Sequence, residues 1–239
     1  MAAGMDTDDM PVTPATLPAV PHGAASEWVA DIIAGRILAG ELVPGSRIKQ
    51  DALAEELATS RIPVRDALRI LEARGLVTMR ANAGARVVVL TRRDVEISHE
   101  IRERIEPLLL AESVPHLTDD DIEELRAVLE RGQHTVSAAE AIALGREFHH
   151  ITCRRHAAPL LAQIVERVWD TTQSYRLACL KRAMAEGARM ADLYDHEYRM
   201  LYDAAARREV ETAQAALVLL IRRTHSDLVR YGDLPGATG

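Results

Sequence analysis

Apolar residues recur along this chain in two rhythms, and the change between them marks its organisation. Trp28, Val29, Ile32, Ile33 and Ile37 follow helical spacing that closes at Gly40, with Ser26 as the expected N-cap. A Val43-Pro44-Gly45 turn leads into Arg47-Ile48, a polar-apolar pair able to join a sheet. One short helix is expected over Asp51 to Leu57 and a second from Pro63 to Arg74, ending at Gly75. Two short helices joined by a tight turn predict a helix-turn-helix. Leu76 to Arg80 and Ala85 to Leu90 then read as β-branched runs separated by Ala81-Asn82-Ala83-Gly84, a hairpin. A helix-turn-helix followed by a hairpin is a winged helix.

Beyond Thr91 the period is helical throughout, predicting segments over about 92–113, 118–132, 137–157, 159–186, 189–207 and 209–230. Gly132, Pro159, Gly187 and the Arg207-Arg208 corner mark breaks, and Asp119, Asp120 and Asp121 favour a helix start after Thr118. The expected fold is mostly α: a winged helix-turn-helix over 26–91 followed by an all-α six-helix bundle over 92–232. Residues 1–25, with four prolines and no apolar period, predict a disordered tail, and 233–239 a flexible C-terminus.

Composition agrees. Hydrophobic residues make up 48% and charged residues 27% of the 239, which excludes a wholly disordered or collagen-like chain. Aromatics are only 3%, with Phe148 the single phenylalanine, which argues against a β-sandwich. No apolar window is long enough for a membrane span, and Asp6, Asp8 and Asp9 stand where a signal peptide would carry Lys or Arg, so a cytoplasmic protein is expected. Two cysteines, Cys153 and Cys179, build neither a disulfide framework nor a four-thiolate metal site. The net charge of -7 conceals an asymmetry: residues 26–92 carry ten Arg and Lys against eight Asp and Glu. A basic head on an acidic body suits specific rather than indiscriminate binding of nucleic acid.

Chemistry concentrates in the head at the start of the second short helix. Ser60 and Arg61 open it, Arg65 and Arg69 share its outward face, and Val64, Leu68 and Leu71 share the opposite one. An outward arginine can grip guanine O6 and N7 or neutralise a phosphate. The strings Gly40-Glu41-Leu42-Val43-Pro44-Gly45, Leu53-Ala54-Glu55-Glu56-Leu57, Ser60-Arg61-Ile62-Pro63-Val64-Arg65-Asp66-Ala67-Leu68, Leu71-Glu72-Ala73-Arg74-Gly75-Leu76-Val77 and Gly84-Ala85-Arg86-Val87 together resemble the DNA-binding domain of GntR-family transcription regulators. The resemblance covers Trp28 to Leu90. It implies a recognition helix in the major groove and a wing tip in the adjacent minor groove. Ser60, Arg61, Pro63 and Arg65 fall on the family's recognition motif and Gly84 on its wing turn. Lys49, Gln50, Arg69, Asn82 and Arg86 complete the expected DNA-binding set. One departure is Asp51, where many members carry a DNA-contacting arginine; either Lys49 takes over that contact or the operator differs.

In the body, Arg102-Glu103-Arg104-Ile105-Glu106 resembles the first helix of FadR-type members, and the length is similar to that of the VanR-like variant. The resemblance implies a central cavity for a small carboxylate effector and, in many members, a divalent metal held by one Asp and three His. Here Gly145, Tyr198 and Leu220 occupy three of those four positions and only His149 remains, so no metal cofactor is expected. A rebuilt site drawing on His149, Cys153, His196 and His225 stays open. Arg102, His149 and Tyr198 are the expected effector-binding residues, the arginine through a forked pair of hydrogen bonds. The alternative for Arg102 is an intrahelical pair with Glu106, worth about 0.3–0.5 kcal/mol when exposed.

The expected partners are double-stranded operator DNA, an organic-acid effector and a second copy of the chain, since one winged helix reads only a half-site. Two other classes compete with a repressor released by its effector. A metal-dependent helical enzyme would use the nine histidines, yet no His-Glu-x-x-His, phosphate loop or Gly-x-Ser-x-Gly occurs, and no catalytic residue is assigned. A dimerisation scaffold would expose the stripe Ala213, Ala216, Leu217, Leu220 and Ile221.

Overall fold

The computed structural model describes residues 22–80, 84–188 and 196–231. The head comprises α1 (His22–Leu38), β1 (Arg47–Ile48), α2 (Gln50–Glu56), α3 (Arg61–Ala73), β2 (Val77–Arg80) and β3 (Gly84–Val87). Its sheet has the order β1-β3-β2, antiparallel, with Ile48 opposite Ala85 and Arg80 opposite Gly84. Val29, Ile33, Ile37, Val64, Leu68 and Leu71 fill its core, so α3 packs across α1 and turns its other face outward. Ser26 does not cap α1. The helix already runs from His22, and Ser26 is buried within it, which moves the edge of the head four residues earlier than the apolar period suggested.

The body comprises α4 (Arg92–Ser113), a 3-10 turn (Val114–His116), α5 (Asp119–His134), α6 (Ala138–Cys153), α7 (Pro159–Ala185), α8 (Glu197–Ala206) and α9 (Val210–Tyr231). Capping boxes start α4, through Thr91 and Asp94, and α5, through Thr118 and Asp121. Gly132 does not break α5; it is buried inside a helix that continues to His134. Conversely α6 stops at Cys153, four residues short of expectation. Arg154 and Arg155 turn away to pair with the buried Asp121, and the Arg155 N–H donates to Ser113 Oγ at 3.0 Å. The stripe Ala213, Ala216, Leu217, Leu220 and Ile221 lies in the body's own core and presents no scaffold interface. The part of the expected 189–207 helix before His196 lies outside the described residues.

Head and body meet along α7. Val88 to Leu90 leave the sheet that the β-branched run predicted: the Leu90 N–H donates to the Tyr175 hydroxyl at 2.6 Å, and Leu90 packs with Val95, Tyr175, Cys179 and Leu228. Gly75, at φ +76°, sits so close to α7 that a β-carbon would come within 2.7 Å of Thr171 Oγ1. Both conformation and space therefore demand glycine there. Gly75→Ala is expected to cost on the order of 1–3 kcal/mol, read as a lower urea midpoint. Adding Thr171→Ala should recover the steric part and leave the backbone part; no recovery would place the cost elsewhere.

Candidate functional site

The outward face of α3 is a row of arginines spaced four apart, because the same spacing that buries Val64, Leu68 and Leu71 exposes Arg61, Arg65 and Arg69. Ser60 holds the N-cap position with its hydroxyl unused for capping. Pro63 belongs to the other face. It is buried, so it shapes the start of the helix and does not reach a DNA surface. Lys49 is exposed at the start of α2, Gln50 is half-buried, and both border a concave strip that ends at Gly84, whose φ of +78° opens β3. Arg86 lies on the exposed side of β3 and donates to the Gly45 carbonyl at 2.9 Å. Asn82 lies outside the described residues.

Asp51 finds its reason in this geometry. Its carboxylate is 2.8 Å from Arg61 Nε, with both side chains about two-thirds exposed or more. A pair this exposed contributes ~0.2–1 kcal/mol, small enough for a phosphate to displace it. Three surface residues escaped the sequence reading. Arg47 and Arg80 flank the wing on the exposed side of the sheet, and Ile62, half-exposed beside the arginine row, offers carbon to a thymine methyl. Their signals were present: Arg47 alternates with buried Ile48, and Ile62 lies off the core stripe of its helix.

In the body, the four positions that the family pattern assigns to a metal do converge. Gly145, His149, Tyr198 and Leu220 all line one small inner chamber, with Arg102 and Trp169. The donors do not fit a metal ion: glycine and leucine bring none, and burial raises the Tyr198 phenol above its ordinary pKa. Nor do the alternative ligands assemble. Cys153 is buried and its thiol is pushed up to about 12, His196 is exposed at the start of α8, and His225 stacks on His99 at 5.0 Å. Among the described residues no three His, Cys, Asp or Glu side chains gather as a metal site.

Arg102 faces inward, as the effector reading requires, but its Nε is already paired with Glu106 and its Nη1 lies 3.5 Å from His99 Nε2. Arg102 Nε donates to Glu106 Oε1 at 2.5 Å, and Trp169 Nε1 donates to the same oxygen at 2.9 Å. Burial of Glu106 opposes its charge, yet Arg102, His149 and these hydrogen bonds outweigh burial and hold the carboxyl below its ordinary pKa. Trp169 lies amid cations and a ring: Arg102 is 4.7 Å and Arg176 4.2 Å from its centroid, and His149 stacks on it at 4.4 Å. Burial lowers the His149 pKa to about 4, so its ring is neutral at physiological pH. Tyr198 packs edge-on against Phe148. The three expected effector residues are thus brought together, with Arg102 serving the internal carboxylate.

The residue after Trp169 faces the head. Asp170, almost fully buried, lies 2.9 Å from Nε and Nη2 of Arg74, the C-cap of α3, and 2.6 Å from Arg146. Together with Thr171 beneath Gly75 and Tyr175 beneath Leu90, it makes one side of α7 a seat for the head, while Trp169 and Arg176 border the chamber.

Known proteins share this architecture. Residues 25–87 match the family described as bacterial regulatory proteins, gntR family, and residues 97–223 match the FCD domain. The chain is 30% identical over 196 residues to the probable D-xylose utilization operon transcriptional repressor of Paenarthrobacter nicotinovorans, covering 79% of this chain and 82% of that protein. It is 27% identical over 190 residues to the HTH-type transcriptional regulator McbR of Escherichia coli K12, covering 77% and 83% respectively. The solved structure of E. coli McbR/YncC shares the fold with a TM-score of 0.74 at 24% identity, over 86% of this chain and 97% of that one. With an arginine-faced winged helix in front of an FCD domain, the chain belongs to the gntR family: it is a DNA-binding transcription regulator and not an enzyme.

Proposed function

We propose that this regulator is a repressor that occupies its operator as a homodimer, in the cytoplasm, and is released when a small organic acid enters the helical domain without the help of a metal. The observation that carries the reading is the division of labour about α7: a chamber with room for a small molecule borders one part of this helix and the recognition helix is clamped to another through Arg74 and Asp170. Relatives named as repressors of the D-xylose utilization and galactonate operons support repression. Half-exposed Ile97, Ile101, Leu108 and Leu219 on α4 and α9 supply apolar surface for a second copy. The primary test is an electrophoretic shift of the DNA upstream of its own gene, with sedimentation on the same sample. A monomer binding that DNA with full specificity would overturn the dimer.

Arg65→Ala is expected to lose about 1–3 kcal/mol of operator affinity and to relax discrimination at one base pair per half-site. Asp51→Asn should do the reverse without altering specificity. Freed from its partner, Arg61 neutralises a further phosphate, so all sequences bind more tightly and the log–log salt slope steepens by about 0.9 per half-site. Unchanged slopes would mean that Asp51 does not hold Arg61 back from the backbone. Arg102→Ala should cost about 3–5 kcal/mol of folding stability because it strands the Glu106 carboxylate, whereas Arg102→Met with Glu106→Leu should fold nearly as well as the parent. Equal thermal melts for the single variant and the parent would refute the internal-pair role.

A further inference from the structure

The recognition helix breaks its own pattern at one position. α3 buries Pro63, Val64, Ala67, Leu68 and Leu71 and turns charge outward, yet Ile62 stands on the outward side, 50% exposed. Local physics disfavours it there. A β-branched side chain gives up χ1 freedom in a helix, and alanine in its place would be the better helix former. A solitary isoleucine on an ordinary surface needs no explanation, and among the described residues the head also exposes Trp28, Val43 and Val89, all outside α3. Ile62 is on no ordinary surface: it is the second residue of the recognition helix, with Arg61 before it and Arg65 one turn on.

The first turn of a recognition helix is the part that meets base edges in the major groove. Charge and carbon have different targets there. A guanidinium takes guanine O6 and N7 or a phosphate, whereas an aliphatic side chain has one complementary group on the groove floor, the C5 methyl of thymine. A cytosine in the same place lacks that methyl, and its N4 donor would be desolvated against carbon. Spacing along the helix then fixes where the thymine lies. Ile62 and Arg65 are neighbours on one face, about 4.5 Å apart along the axis, while successive bases are separated by about 3.4 Å. The base pair that Ile62 reaches is therefore the neighbour of the one that Arg65 reads, or the next beyond.

We propose that Ile62 is a specificity-determining residue: it selects a thymine in each operator half-site by contact with the C5 methyl, within two base pairs of the guanine taken by Arg65. The inference rests on sequence-specific DNA binding by α3. It is independent of whether the protein represses and of what releases it.

The test starts from duplexes that the full chain selects from a random-sequence library, so that no operator is presupposed. The enriched half-site is expected to carry a thymine within two base pairs of a guanine. Replacing that thymine by uracil, which removes only the methyl, should weaken binding about fourfold per half-site, the worth of one buried carbon. By the same contact, 5-methylcytosine should bind about fourfold better than cytosine at that place. Ile62→Ala should bind thymine and uracil duplexes alike, whereas Ile62→Val should keep part of the preference; the cycle separates the contact from any general loss of affinity. The alanine variant should melt no lower than the parent, since alanine favours the helix and the side chain lies off the core. An enriched site without thymine, equal binding of thymine and uracil duplexes by the unaltered chain, or a preference that Ile62→Ala retains in full would overturn the proposal. The first two outcomes are read on the unaltered protein and decide the matter whatever the variants do. Enrichment of no sequence would refute the contact together with specific binding by α3, whereas a selected site that is absent upstream of the chain's own gene would count against self-repression and leave the contact standing.

Discussion

A carboxylate without any exposure to water organises the helical domain. Glu106 is fully buried, and an ion in that position costs several kcal/mol unless its surroundings answer it. Arg102, one turn away, supplies the countercharge; Trp169, from a different helix, supplies a second donor; and His149 places its ring 3.9 Å from the remaining oxygen. The requirement ties α4, α6 and α7 to one another in a single geometry. Around the positions that the family pattern assigns to a metal, the inner chamber is only about 20 Å³, and a larger one of about 160 Å³ lies nearer α9.

The same helix that carries Trp169 carries the seat of the head. Asp170 is buried between Arg74 of the recognition helix and Arg146 of α6, so a rotation or slide of α7 that repacks Trp169 is felt one residue on, at the end of α3. Packed elements of this kind have few intermediate positions, because interiors are dense and ion pairs are either made or broken. Two neighbouring residues on one rigid element thus stand at the two ends of the communication that a ligand-controlled regulator requires.

Much of this was readable from the residues. The winged helix followed from two periodicities and their turn residues, and the described helices of the body from one, because both depend on local pattern. Boundaries were lost where tertiary contacts override pattern: Leu90 leaves its strand for Tyr175, Arg154 and Arg155 end α6 early for Asp121, and Gly132 is carried through by packing. The arginines of α3 were found because exposure on a helix is set by spacing. Arg102 was correctly turned inward, but its partner could not be weighed, since the value of an Arg–Glu pair one turn apart depends on burial, which spacing does not encode. Arg176 was missed altogether. Nothing in its neighbours along the chain shows that Trp169 lies beneath it or that a cavity opens beside it.

The closeness of Gly75 to Thr171 bears on how such proteins can be recombined. A winged helix of about sixty residues looks like a cassette that could be exchanged between relatives to redirect a sensor to another operator. In this chain the seam is keyed: the turn after α3 must be bare of a side chain, an arginine must stand just before it, and the strand leaving the wing must meet a tyrosine hydroxyl on α7. A transplanted head lacking those three features would still fold about its own core, yet it would sit on the body as a passenger, binding its DNA with no regard to what the chamber holds.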